Sequence, residues 1–174
     1  MKLLFVADPL DTFKTYKDTT FAMMREASRR GHELWACQPH DLRWQQGGRV
    51  EAHMQRITLT GEAEHWYEAA ETSTVALADM GAVLMRKDPP FDTEYLYTTH
   101  LLSQAEREGA KVFNRPSALR EHPEKLAIMA FPEWIAPTLV TRDIEAIRAF
   151  HATHRDIILK PLDGMGGMAF SESR

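Results

Sequence analysis

The chain has 174 residues, 44% hydrophobic and 26% charged, which is the composition of an ordinary folded domain and not of a disordered chain. The net charge is −4 without a long basic run, which argues against nucleic acid as a partner. A single cysteine, Cys37, excludes an internal disulfide. No segment has the length needed to span a bilayer or to act as a signal peptide, so we expect a cytoplasmic protein that has no membrane partner.

The beginning of the chain predicts a β-α-β unit. Residues 3–7 form an apolar run typical of a buried strand, and residues 32–37 predict a second strand. Between them, apolar residues at helical spacing follow Thr19 and Thr20, which are candidate N-caps, and Gly31 supplies a stop. Such a unit opens a doubly wound α/β sheet.

Charged residues follow two of the predicted strands. Asp8 comes directly after residues 3–7, and a predicted strand at residues 82–85 is followed by the charged, proline-containing run of residues 86–92. Ligands of doubly wound sheets gather at the carboxyl ends of the strands, so these residues and the loop up to Asp18 are expected near a binding site. A turn cap at Asp8, and a solvated turn with internal ion pairs at residues 86–92, are the alternatives.

Local sequence patterns also predict the remaining elements of the first part of the chain. Residues 41–60 predict a hairpin, residues 93–108 a long helix and residues 111–113 a short strand, whereas residues 62–74 receive no assignment. The composition changes in a turn-rich connector at residues 116–123. We place the domain boundary there, which gives domains of residues 1–121 and 122–174.

The second part of the chain predicts shorter elements. They are a short helix at 124–130, a strand at 137–140, a helix at 144–154 with Asp143 as N-cap, and a buried strand at 157–159. Residues 170–174 do not form an apolar run. His151 and His154 have helical spacing but lie beside no cysteine or well-placed carboxylate, so no metal site is predicted.

A lysine and three glycines follow the last predicted strand, namely Lys160, Gly164, Gly166 and Gly167. Glycine lets backbone N–H groups approach a ligand closely, and successive N–H groups form an anion-binding concavity to which a lysine adds charge. The segment therefore predicts a polyphosphate site, although its spacing is not that of a Walker loop. A glycine-rich turn without a ligand is the alternative.

Taken together, these stretches resemble the bacterial glutathione synthetase family of the ATP-grasp superfamily. The resemblance extends to about residue 167, and its most specific part is the run Arg-Lys-Asp-Pro-Pro-Phe-Asp-Thr-Glu-Tyr at residues 86–95. The other stretches that carry it are Asp8-Pro9 and residues 17–23, 114–116, 124–126, 137–141 and 158–167.

The resemblance implies an ATP-dependent ligase that joins γ-glutamylcysteine to glycine through an acyl phosphate, with ATP and Mg²⁺ as cofactors. The implied fold is α/β, with an open, mostly parallel, Rossmann-like pre-ATP-grasp sheet followed by an incomplete α+β ATP-grasp piece. Small-molecule substrates and a homo-oligomeric assembly are the implied partners.

The resemblance also implies the site residues. The implied nucleotide-binding residues are Lys125, Lys160, Gly164, Met165, Gly166 and Gly167. The implied substrate-binding residues are Lys17, Asp18, Arg86, Lys87 and Asp88. No catalytic residue is assigned, and the metal ligands are expected in the second half of the family's fold.

Family members continue well past the last residue of this sequence. We therefore expect the 174 residues to be inactive alone, and we expect exposed apolar surface after about residue 123. The alternative is a non-catalytic nucleotide-binding or oligomerisation module derived from such a ligase.

Overall fold

The computed structural model describes residues 1–62 and 65–163 and the backbone of Ser171–Ser173. Its Cα packing divides the chain into two compact units. Unit 1 consists of Met1–Asp88 and Thr93–Glu121, and unit 2 of Pro89–Asp92 and His122–Arg174.

Unit 1 contains seven described strands and three α-helices. The strands are β1 (Lys2–Val6), β2 (Glu33–Cys37), β3 (Leu42–Arg43), β4 (Glu51–Leu59), β5 (Tyr67–Ala76), β6 (Ala82–Met85) and β7 (Val112–Phe113). The helices are α1 (Thr19–Arg29), α2 (Thr93–Arg107) and α3 (Pro116–Glu121).

The strands of unit 1 form one sheet in the order β3-β4-β2-β1-β6-β7, and β5 pairs with β4 at an edge. Neighbours among β2, β1, β6 and β7 are parallel, as the β-α-β prediction requires. The arm formed by β3, β4 and β5 is antiparallel, and it includes the predicted hairpin. The predicted α/β class with an open, mostly parallel sheet is therefore confirmed.

Helices cover both faces of this sheet. Alternate residues of β1 point to opposite faces, so Leu4 packs in a cluster with Leu102 of α2, whereas Phe5 packs in a second cluster with Met24 of α1. All four side chains are buried, and Cys37 is buried with them, as its apolar surroundings predict. Full burial of one such large apolar side chain contributes about 1.5–3 kcal/mol, so the two clusters account for a stable doubly wound unit.

The start of α1 differs from the prediction. Asp18, not Thr19 or Thr20, is the N-cap: its backbone is extended, and its Oδ1 accepts a hydrogen bond from Phe21 N–H at 2.8 Å. A carboxylate at this position also interacts favourably with the helix dipole. The predicted stop is confirmed, because Gly31 follows the helix with φ of +74°, a conformation that favours glycine.

Two segments of unit 1 form elements that the sequence did not predict. The unassigned residues 62–74 contribute to β5, an edge strand whose side chains are mostly exposed and polar. The predicted connector at residues 116–123 begins with α3, because proline is favoured in the first turn of a helix. Arg120 of α3 donates a hydrogen bond to the carbonyl oxygen of Thr99 in α2 at 3.0 Å, which ties this helix to unit 1.

Unit 2 contains one described α-helix, α4 (Ile144–His154), and the antiparallel pair β8 (Ile157–Leu159) and β9 (Ser171–Ser173). The predicted cap of α4 is confirmed, since Asp143 accepts a hydrogen bond from Glu145 N–H at 3.0 Å. The pairing of β9 with β8 shows that a strand does follow the glycine-rich segment, although its residues are polar.

Three predictions for unit 2 are wrong. Residues 124–130 form a turn and a short 3-10 segment, Ala127–Ala130, instead of a helix. Residues 137–140 form no strand, because no other described strand pairs with them and Pro137 lacks the N–H that a ladder needs. Strand β8 forms as predicted but is not buried, and Ile158 is 63% exposed.

Unit 2 exposes much of its apolar surface, as the sequence predicts. None of its described residues is buried, and α4 likewise contains no buried residue. The exposed large apolar side chains of unit 2 are Met129, Phe131, Trp134, Leu139, Val140, Ile144, Ile158 and Leu162. The hydrophobic core of the described chain therefore lies in unit 1. Among the described residues, no helix combines the length and the apolar character that crossing a membrane requires.

Candidate functional site

The loops that follow β1 and β6 lie at the point where the strand order of the sheet reverses. From β1 the chain passes through α1 to β2 on one side, and it later returns to β6 on the other side of β1. Open α/β sheets bind ligands in the crevice at the carboxyl ends of such strands. The loop after β1, the N-terminus of α1 and the loop after β6 therefore border the candidate site.

Asp8 connects the loop after β1 to the loop after β6. Its Oδ1 forms an ion pair with Lys87 Nζ at 2.8 Å, and its Oδ2 accepts a hydrogen bond from Asp88 N–H at 2.9 Å. Lys87 Nζ also donates to the carbonyl oxygen of Asp88 at 2.8 Å. One carboxylate therefore fixes both the ammonium group and the backbone of the loop after β6.

Arg86 joins the loop after β6 to helix α1. Its backbone N–H donates to the carbonyl oxygen of Val6 at 2.7 Å, which extends the ladder between β1 and β6 by one bond. Its Nη2 donates to Thr19 Oγ1 at 2.8 Å, and its Nε donates to Thr20 Oγ1 at 3.1 Å. The guanidinium group thus holds the first turn of α1 against the strand end.

Negative charge accumulates around Asp88. Partial burial raises the pKa of the Asp88 carboxyl, and the nearby carboxylates of Asp8 and Asp18 raise this pKa further, while Lys87 and Arg86 oppose the effect. Burial and the two neighbouring carboxylates therefore both disfavour the charged form of Asp88.

A pocket of about 340 Å³ opens at this point of unit 1. It is lined by residues of the loop before α1, of the first turn of α1 and of the loop after β6, namely Thr12, Lys14, Lys17, Asp18, Thr19, Thr20 and Asp88. The lysines are exposed, and Lys17 Nζ lies 5.9 Å from the ring centroid of Tyr16. The pocket therefore presents both ammonium and carboxylate groups, which suits a ligand that carries charges of both signs.

The five residues implied to bind substrate come together in this part of unit 1. Lys17, Asp18 and Asp88 line the pocket, whereas Arg86 and Lys87 make the hydrogen bonds and the ion pair that shape it. The sequence analysis expected the loop up to Asp18, which contains Lys14, near the site, but it assigned no binding role to Lys14, Thr19 or Thr20. The fold places all three in the lining of one pocket with Asp88.

The implied nucleotide-binding lysines lie in unit 2. Lys125 Nζ donates a hydrogen bond to the carbonyl oxygen of Pro161, the residue after Lys160, and Lys160 is exposed directly after β8. The fold of unit 2 thus brings two lysine-bearing segments together. Gly164, Met165, Gly166 and Gly167 lie outside the described residues.

The described residues offer no metal centre. No group of three or more histidine, cysteine, aspartate or glutamate side chains in residues 1–62 and 65–163 has an arrangement that could hold a metal ion.

Two family models match the chain. Residues 1–120 match the N-terminal domain of prokaryotic glutathione synthetase, and residues 124–172 match the ATP-grasp domain of the same enzyme family.

Curated relatives match nearly the whole chain. Glutathione synthetase of Ralstonia nicotianae is 54% identical over 167 residues, which cover 96% of this chain and 51% of the relative. Glutathione synthetase of Nitrosomonas europaea is 52% identical over 170 residues, which cover 96% of this chain and 53% of the relative. The chain spans about half the length of the curated relatives it matches.

Solved structures show the same fold at low identity. The ATP-grasp ligase PsnB, solved with a minimal precursor, superposes with a TM-score of 0.54 at 19% identity, over 99% of this chain and 56% of PsnB. The family models cover both units, and the relatives share about half of their residues with this sequence. The chain belongs to the prokaryotic glutathione synthetase family.

Proposed function

We propose that this chain supplies the N-terminal domain and the first part of the ATP-grasp domain of an ATP-dependent ligase that joins γ-glutamylcysteine to glycine. The observation that carries this proposal is the 54% identity with the glutathione synthetase of Ralstonia nicotianae over 96% of the chain. We take residues 1–121 as the first domain and residues 122–174 as part of the second. The buried single cysteine fits a reducing compartment, and we propose the cytoplasm as its location.

In this proposal the pocket of unit 1 binds γ-glutamylcysteine. The substrate carries carboxylates and an ammonium group, and the pocket lining contains Lys17 as a cation and Asp18 and Asp88 as anions. Arg86 and Lys87 belong to the same substrate-binding segment, where they fix the first turn of α1 and the loop after β6. Charge-assisted hydrogen bonds of this kind orient a small polar substrate.

Lys125 and Lys160 are the proposed phosphate-side residues for ATP, together with Gly164, Met165, Gly166 and Gly167. The contact of Lys125 with Pro161 supports this pairing, because it places both lysine-bearing segments at the end of β8. Bound ATP would supply the phosphoryl group that activates the substrate carboxylate. We propose that the Mg²⁺ ligands come from the part of the relatives that this chain does not match, since the described residues provide none.

Binding measurements test the two proposed sites separately. In calorimetric titrations we expect Lys125→Met and Lys160→Met to weaken binding of an ATP analogue by about tenfold, as expected for loss of one charge-assisted contact. The matched control is Lys111→Met, an exposed lysine of unit 1, which should leave the affinity unchanged. Equal affinities for all four proteins would contradict the nucleotide assignment.

A turnover assay tests the expected inactivity. Because the relatives are about twice as long as the matched region, we expect residues 1–174 alone to release no phosphate with ATP, γ-glutamylcysteine and glycine. Phosphate release that depends on both ATP and glycine would contradict this expectation.

A second candidate function is a non-catalytic association module. The observation that favours it is the exposed apolar surface of unit 2, on which the Trp134 side chain is 81% exposed. This candidate predicts homo-oligomers in sedimentation experiments, and it predicts that Trp134→Ser dissociates them. A monomeric wild-type chain that binds the ATP analogue would favour the ligase proposal instead.

A further inference from the structure

We propose that Asp8 is a positioning residue of the unit 1 pocket, and that its partner Lys87 is held by Asp8 and does not itself bind the ligand. The inference rests on the proposed function, in which this pocket takes γ-glutamylcysteine. It goes further because it separates the charged groups that contact the ligand from those that hold the pocket in shape.

The geometry assigns both oxygens of Asp8 to the loop after β6. Oδ1 lies 2.8 Å from Lys87 Nζ, and Oδ2 accepts the Asp88 N–H at 2.9 Å. Asp8 follows β1, whose ladder with β6 continues to the Arg86 N–H, so the carboxylate is attached to a rigid element. The side chains of Asp8 and Lys87 are each only 26% exposed, which limits screening of the pair by solvent.

The same contacts explain why Lys87 differs from the lysines of the pocket lining. Lys87 Nζ is engaged by Asp8 and by the carbonyl oxygen of Asp88, and Lys87 is not among the residues that line the pocket. Lys14 and Lys17 do line it and are exposed. A ligand carboxylate can reach these two lysines without breaking the ion pair of Asp8.

Asp8 also fixes Asp88, one of the two residues that bring negative charge to the pocket lining. Because Asp8 holds the Asp88 backbone N–H, it sets the position from which the Asp88 side chain enters the pocket lining. In Asp8→Asn the amide oxygen can still accept this N–H, but the ion pair with Lys87 is lost. In Asp8→Ala both interactions are lost, so this variant should show the larger effect.

The experiment is an NMR titration of the labelled 174-residue chain with γ-glutamylcysteine. We expect Asp8→Ala to weaken binding by about tenfold or more, and Asp8→Asn and Lys87→Met to weaken it less. The double variant Asp8→Asn/Lys87→Met should bind like either single variant, because all three lack the same ion pair. Asp79→Asn is the matched control, since Asp79 forms an exposed ion pair with Arg49 in the same unit, and its affinity should equal that of the wild type.

A second readout separates positioning from general stability. In Asp8→Asn the pKa of the Asp88 carboxyl should fall relative to the wild type, because one of the neighbouring carboxylates that raise it is gone. Carboxyl ¹³C shifts measured against pH report this change in the folded protein.

The outcomes are distinct. Affinities of Asp8→Asn and Asp8→Ala equal to wild type would overturn the inference while the proposed substrate site stands. A Lys87→Met variant that loses more affinity than Asp8→Ala would show that Lys87 itself binds the ligand, which also overturns it. A wild-type chain that gives no shift changes with γ-glutamylcysteine would overturn the proposed substrate site and this inference together.

Discussion

Units 1 and 2 both contain helices and strands that carry apolar residues, but the two units differ in whether those apolar side chains are buried. In unit 1, β1 and the helices α1 and α2 contribute to two buried clusters on the two faces of a sheet. In unit 2, no described residue is buried, and the helix and strand that the sequence predicts, α4 and β8, form with their apolar side chains exposed or half-exposed. Local pattern therefore predicted α4 and β8, whereas burial of their apolar side chains requires neighbouring elements to pack against them.

The largest expected contrast comes from truncating one apolar side chain in each unit. Leu102→Ala removes a fully buried side chain of α2 and should lower the free energy of unfolding by about 2–5 kcal/mol. Ile158→Ala removes a side chain of a residue that is 63% exposed, and it should change the free energy of unfolding by less than about 0.5 kcal/mol. Urea denaturation followed by tryptophan fluorescence measures both. Equal losses would show that unit 2 has a core of its own.

A smaller contrast comes from the two aspartate N-caps, which share the same chemistry. Asp18 accepts a hydrogen bond from Phe21 N–H at 2.8 Å, and Asp143 accepts one from Glu145 N–H at 3.0 Å. Asp18→Ala should lower the free energy of unfolding of unit 1 by about 1 kcal/mol. Asp143→Ala should reduce the helical circular dichroism signal and leave the main transition unchanged.

Conservative replacements provide the controls for the caps. Asp18→Asn and Asp143→Asn keep an oxygen acceptor. Asp18→Asn should therefore retain most of the wild-type free energy of unfolding, and Asp143→Asn should retain most of the helical circular dichroism signal. A shift of the main transition by Asp143→Ala as large as that caused by Asp18→Ala would contradict the distinction between the units.

The smallest expected effect concerns the ionisation of Tyr67 in unit 1. Partial burial and a hydrogen bond from the Tyr67 hydroxyl to Asp11 Oδ1, at 2.7 Å, raise the pKa of Tyr67 from 10.0 to about 12. Because the folded form holds this proton more tightly, the stabilisation is fully present below pH 10 and is lost as the pH rises through about 12. Ultraviolet absorbance at high pH should show a late-ionising component to which Tyr67 contributes together with Tyr95, since burial also raises the pKa of Tyr95.

Two variants check that assignment. Tyr67→Phe should diminish the late component and leave the part that belongs to Tyr95, and Asp11→Asn should lower the pKa of Tyr67, because the negative charge that opposes ionisation is removed. A late component of unchanged size in Tyr67→Phe would contradict the assignment.

The sequence predicted the central strands of unit 1 well because their signals are local. Strands β1, β2 and β6 are short apolar runs bounded by charged, proline or glycine residues. Strand β5 escaped prediction because an edge strand with mostly exposed, polar side chains has no apolar pattern. The predicted strand at residues 137–140 did not form because a strand needs a partner, and no described strand pairs with it.

The candidate site was likewise predicted from the sequence only in part. The rule that ligands gather at the carboxyl ends of parallel strands predicted that Asp8 and residues 86–88 would lie together. The pairing of Lys87 with Asp8, and of Arg86 with Thr19 and Thr20, could not be predicted, because each joins residues from distant parts of the chain whose orientation only the fold sets. The alternatives left open by the sequence, a turn cap at Asp8 and ion pairs internal to residues 86–92, describe contacts within one loop, whereas the contacts of Asp8 with Lys87 and Asp88 join two loops.

Hydrogen exchange of backbone amides, measured by mass spectrometry on a monomeric sample, tests the difference between the units most directly. The account predicts that amides of β1, β2 and β6 are protected by about two orders of magnitude or more beyond those of α4 and β8, since among the residues that the structure describes only those of unit 1 form a buried core. Equal protection of α4 and β8 in the monomer would contradict the account, because it would require packing that the described part of unit 2 does not show.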